Sequence, residues 1–151
     1  NTHSLDQKSL YVFWLNKAAV EMRLKKYETA LVSVNWSIMK KHSFAGFYNQ
    51  AIILSKLGKY QQAIKSFDKA NEFLPDNYLV LTGKAIALMN VGKLESYKNA
   101  QKTFQDALKT IDRALAINSS FQLAIENRQN LIKEMETKVD RGVKVRNSTK
   151  N

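Results

Sequence analysis

The spacing of large and small side chains along this chain is the feature that most limits its fold. Trp14, Phe47 and Leu81 recur at steps of 33 and 34 residues, and Ala18, Ala51 and Ala85 repeat the pattern four positions further on. Tyr27 and Tyr60, Ala30 and Ala63, Val34 and Phe67, and Ser37 and Ala70 are each 33 apart, while Gly58 and Gly92 are 34 apart. A period of this length is that of one supersecondary unit. Such a unit is too thin to cover its own apolar face, so neighbouring units must stack. Within each unit the apolar positions lie three and four apart, the spacing of a helix face. Five glycines and one proline in 151 residues are far too few for an all-β chain, which needs a turn about every ten residues.

Helices are expected at about 5 to 24, 27 to 41, 44 to 57, 60 to 73, 78 to 91, 95 to 117 and 120 to 138. Small residues at Ala18, Ala30, Ala51, Ala63, Ala70 and Ala85 let helix backbones approach, and Trp14, Tyr27, Phe47, Tyr60 and Phe67 fill the spaces between pairs. Ser43 is placed to cap a helix starting at Phe44, and Asp76 or Asn77 one starting at Tyr78. Gly58 and Gly92 supply permissive backbone for turns. The third unit has two registers after Gly92: Ala100, Phe104 and Ala107, an insertion of three residues, or Ala107, Ile111 and Ala114, an insertion of ten. Both sets lie on one face, so one lengthened helix accounts for them, preferably in the second register. Its extra turns are expected to project past the edge of the stack.

The middle unit, Phe44 to Asn77, is the clearest. It runs Phe47, Ala51 and Leu54, a break at Leu57-Gly58-Lys59-Tyr60, then Ala63, Phe67 and Ala70, and ends Leu74-Pro75-Asp76-Asn77. This resembles the tetratricopeptide repeat family, and the resemblance extends over roughly residues 11 to 118. It implies an all-α, right-handed superhelical solenoid of three helix pairs, with repeats at about 11–43, 44–77 and 78–119. A capping helix at 120–138 completes a 1–138 domain, followed by a basic, disordered tail at 139–151. In that tail region Lys138, Arg141, Lys144, Arg146 and Lys150 face one acid, Asp140.

The resemblance further implies a concave groove lined by the first helix of each pair. Carried over residue by residue, it exposes Val12, Leu15, Ala19 and Met22; then Ala45, Tyr48, Asn49, Ile52 and Ser55; then Leu79, Thr82, Gly83, Ile86 and Met89. Some members hold the C-terminal carboxylate of heat-shock chaperones with a clamp of lysine, asparagine and arginine. Here only Asn49 fits that clamp, and Leu15, Ala19, Leu79 and Gly83 stand where its other polar residues belong. Without cations nothing offsets carboxylate desolvation. The expected ligand is therefore an apolar or amphipathic peptide or helix, and the chain an adaptor or scaffold. The alternative is a structural or self-association module whose groove is filled by its own chain, a second copy or the rest of a larger protein.

Other functions find little support. The absence of cysteine excludes disulfides and thiolate chemistry. His3 and His42 lack partners at catalytic or metal-binding spacing, and there is no phosphate-cradling glycine loop. No enzyme activity, cofactor or metal is expected. The net charge of +11, from 24 basic and 13 acidic residues, favours acidic partners. Nucleic acid is a minority reading, because arginine is sparse and the aromatics fall on packing positions. No run reaches the roughly 18 apolar residues of a membrane span. A cytoplasmic setting is expected, for a processed product or a fragment of something larger, since the chain begins at Asn1.

Overall fold

A computed structural model describes residues 6–149. The regular elements among them are α1 (Gln7–Arg23), α2 (Tyr27–Lys40), α3 (Phe44–Lys56), α4 (Tyr60–Phe73), α5 (Tyr78–Leu94), α6 (Tyr97–Ile117) and α7 (Gln122–Ser148). The expected start of the first helix near residue 5, His3 and the last basic residue, Lys150, lie outside the described residues. The chain divides after Pro75 into two compact units.

In the first unit the hairpins α1–α2 and α3–α4 pack through small side chains. Ala18, Ala30, Val34 and Ile53 are fully buried at the centre, with Met22, Tyr27, Leu31, Ile38 and Leu57 packed over them. Ala51, Ala63 and Ala70 have no exposed surface, which is what lets α3 and α4 approach. Polar side chains inside are paired: Ser66 Oγ donates to Gln50 Oε1 at 2.7 Å, and Gln50 Nε2 donates to Asn35 Oδ1 at 2.9 Å, tying α4, α3 and α2 together. Ser33 Oγ donates to Glu21 Oε2 at 2.6 Å, from α2 to α1.

Both hairpin turns close in the same way. Lys25 N–H donates to the Met22 carbonyl and Lys26 N–H to that of Glu21, each at 2.9 Å, with Lys25 at φ 57°. Thirty-three residues later Gly58 N–H donates to Ser55 and Lys59 N–H to Leu54, with Gly58 at φ 73°. This is the two-bond Schellman closure, which needs a left-handed residue after the helix. Ser43 caps α3 as expected, its Oγ accepting from Gly46 N–H at 3.1 Å.

In the second unit Asn77 is the residue that caps α5, accepting from Leu79 and Val80 N–H. Gly92 is not in a turn. It lies inside α5, which runs to Leu94, and a Cβ there would sit 2.6 Å from the Phe104 ring. The glycine serves close approach of α5 to α6. Its φ is not left-handed, and among described glycines only that of Gly58 is.

Helix α6 is the single lengthened helix anticipated, and Ala100, Phe104, Ala107, Ile111 and Ala114 form one buried stripe along it. The two registers are thus parts of one surface. Its extra turns do not project into solvent: Ala100 and Phe104 are buried with Ala85, Met89, Ala124 and Leu131. They find this cover because α5 is longer than expected and α7 continues to Ser148, past Lys138, where charge alone suggests fraying. Two contacts hold the added turns of α7. Gly142 lies against the Tyr97 ring, and the Arg146 guanidinium stands over the same ring at 5.4 Å. Lys138 Nζ also donates to the Lys93 carbonyl at 3.2 Å.

Candidate peptide-binding face

In the first unit, positions 12, 15, 19 and 22 lie on one face of α1, and 45, 48, 49 and 52 on one face of α3. The two helices are in contact within the first unit. Val12 is 42% exposed, and Leu15, Ala19, Asn49 and Ile52 are half-buried. Met22 is partly drawn under the core. Tyr48 stacks on Phe44 at 5.6 Å and meets the Phe67 edge at 6.2 Å. Burial pushes its phenol above the usual tyrosine range. The Asn49 side chain makes no hydrogen bond among the described residues, so this face presents one unused amide in an apolar surround.

In the second unit the candidate residues separate. Leu79 is exposed and Ile86 half-buried. Thr82 is only 1% exposed, and its hydroxyl donates to the Tyr78 carbonyl of its own helix at 2.7 Å. Met89 is buried in the core beside Phe104 and Ala85. Neither offers surface to a ligand. Both follow from the all-round apolar character of α5, on which spacing alone does not separate an inner face from an outer one.

Two surfaces escaped the pattern. On α2, Val32, Trp36 and Met39 are exposed, four and three residues apart, and on α1 so is Phe13. Trp36 stacks on Trp14 at 5.9 Å, and Lys17 and Lys40 cover the two indoles. The aromatics are therefore not all on packing positions. The 32, 36, 39 spacing was a visible second stripe on α2. The other surface is a cleft beside Tyr97, which no periodicity announces because it depends on the added turns of α7.

Residues 44–77 match the family model of the tetratricopeptide repeat. Solved structures of tetratricopeptide domains share the fold over most of the chain. The second tetratricopeptide domain of human RPAP3, solved with an HSP70 peptide, superposes with a TM-score of 0.71 at 15% identity, over 83% of this chain and 97% of that one. This is a tetratricopeptide-repeat fold. The tetratricopeptide domain of Arabidopsis OM64 gives 0.71 at 16% identity, over 84% and 98% of the two chains. That of Sgt2 from Aspergillus fumigatus gives 0.66 at 14%, over 88% and 83%. No curated protein sequence matches the chain. Among the described residues no helix is long and apolar enough to cross a membrane.

Proposed function

We propose that this tetratricopeptide-repeat chain is a protein-interaction module, an adaptor or scaffold, that binds an apolar or amphipathic peptide or helix on the α1–α3 face. The observation that carries the reading is the row of Val12, Leu15, Ala19, Tyr48 and Ile52, left half-exposed on two packed helices with one unpaired amide, Asn49, among them. Apolar surface of this kind takes up the apolar side chains of a helix or extended segment, while a lone amide fixes register. Leu79 and Ile86 offer the equivalent positions of α5.

Relatives in fold support peptide capture: tetratricopeptide domains of human RPAP3 and yeast Sti1 are solved with HSP70 or HSP90 partners. Chaperone-tail carboxylates are not expected on this face, since Leu15 stands where the clamp needs lysine and Ala19 where it needs asparagine. The test is capture of partners from a lysate by the wild-type chain and Ile52→Glu in parallel. Loss of the captured bands in the variant, with its helicity intact, supports the reading, and identical bands contradict it.

One observation favours a second reading, association with another copy or with more of a larger protein. Phe13, Val32, Trp36 and Met39 leave an aromatic-rich patch in water, with Met39 71% exposed. Light scattering over a dilution series tests for a second copy: a dimer broken by Trp36→Glu points to this patch, and a monomer at all concentrations removes that occupant.

A further inference from the structure

Within the second unit, the first turns of α6 and the last turns of α7 enclose a cleft of about 830 Å³. Its floor is apolar. The Tyr97 ring lies so close to Gly142 that a Cβ there would come within 2.7 Å of it, and Val145 extends the surface. Its rim is cationic: Lys98, Lys138, Arg141 and Arg146 line it, against one acid, Glu95. The Glu95 carboxylate is already engaged, accepting from Thr103 Oγ1 at 2.6 Å. Lys98 and Arg141 form no ion pair among the described residues, although other cations such as Arg128 and Lys93 do. Arg146 is held over Tyr97, which orders its guanidinium while leaving the N–H edge unused.

We propose that this cleft binds a short acidic protein segment, with one apolar side chain seated over Gly142 and Val145 and flanking carboxylates on Arg141, Arg146 and Lys98. The net charge of +11 draws such a segment in, and the ordered arginine supplies the fork that a carboxylate accepts. A cavity of this size lies within the range of ligand sites. An inorganic anion would leave the apolar floor in water. Single-stranded nucleic acid wants a free aromatic face, whereas Tyr97 is covered by Arg146 and its hydroxyl accepts from Gln101 Nε2 at 2.9 Å. A planar headgroup layer would reach the rim and not the floor. All of the cleft's lining residues belong to the second unit, whereas the α1–α3 face belongs to the first.

The test uses the full chain and a short fluorescent peptide of alternating glutamate and leucine, followed by anisotropy at physiological salt. Reversing two rim charges together, Arg141→Glu with Arg146→Glu, is expected to weaken binding about tenfold. Lys98→Glu, on α6, weakens it in the same direction without touching α7, and Lys65→Glu, the same reversal at an exposed lysine of α4, leaves it unchanged. The glutamine analogue of the peptide, and polyglutamate without leucine, both bind more weakly. Unchanged binding in the charge-reversed cleft variants overturns the proposal, as does an equal loss in Lys65→Glu or polyglutamate binding as tightly. Displacement of the peptide at that salt by a single-stranded oligonucleotide or by phosphatidylserine vesicles that bind more tightly through the same arginines also overturns it.

Discussion

Replacing Gly92 by alanine separates the two roles a glycine can have. An added Cβ would stand 2.6 and 2.7 Å from Cε1 and Cδ1 of Phe104 and 3.2 Å from Cζ. Ordinary carbon contacts lie near 3.5–4.0 Å, so the ring must retreat by about 1 Å. It has little space for that, being 2% exposed and packed with Ala100, Ala107, Ile111 and Met89, with a cavity of only about 70 Å³ bordering it beside Met135 and Val139. Overpacking of this kind costs about 1–3 kcal/mol. Against it stands the gain of alanine over glycine in a helix interior, about 1 kcal/mol. The net expectation for Gly92→Ala is a loss of about 1 kcal/mol, seen in urea unfolding followed by far-UV circular dichroism as a midpoint lowered by the order of half a molar at unchanged slope. Adding Phe104→Leu should restore part of the loss, since the two positions touch. A variant as stable as the parent, or more stable, would refute the close approach of α5 and α6, because helix propensity alone predicts stabilisation.

The paired turns give a second expectation. Gly58→Ala has free space around its Cβ but a left-handed φ of 73°, and should cost about 1 kcal/mol in the same assay, while Lys25→Gly at the matching turn is stabilising or neutral. Ser43→Ala removes the hydroxyl that accepts from Gly46 N–H and should cost about 1 kcal/mol. The Tyr48 phenol is held above its usual range by burial, so the folded state resists its ionisation. Its contribution is complete below the unfolded value of about 10 and is lost as pH rises through the higher folded value. Tyr48→Phe should therefore flatten the decline in thermal stability at alkaline pH, and an unaltered decline would assign it to other groups.

Most of the architecture is legible in the spacing of Ala18, Ala51 and Ala85 against Trp14, Phe47 and Leu81, because stacking of thin units demands the same small and large positions each time. Gly58 and Gly92 show where legibility ends. The one supplies a left-handed φ and the other clearance for a ring, yet they are the same letter at the same period. Thr82 and Met89 failed as ligand-facing residues for a related reason: α5 is apolar on nearly every side, so its inner and outer faces differ only once α6 and α7 are in place. The end of α7 was hidden because its anchors, Gly142 and Arg146 on Tyr97, are contacts between residues more than forty positions apart. On α1 and α3, by contrast, helical phase alone groups Val12, Leu15 and Ala19 on one helix and Tyr48, Asn49 and Ile52 on the other, and each keeps some exposed surface.

The most direct test of ligand capture on that face is site-specific photo-crosslinking. A benzophenone side chain placed at Ile52, and in a second chain at the exposed Gln61 of α4, is irradiated in a lysate and the adducts are compared. Capture on the α1–α3 face predicts a discrete protein adduct from position 52 that is absent from position 61 and is competed away by excess unlabelled wild-type chain. The same adducts from both positions, or one from position 61 alone, would contradict it.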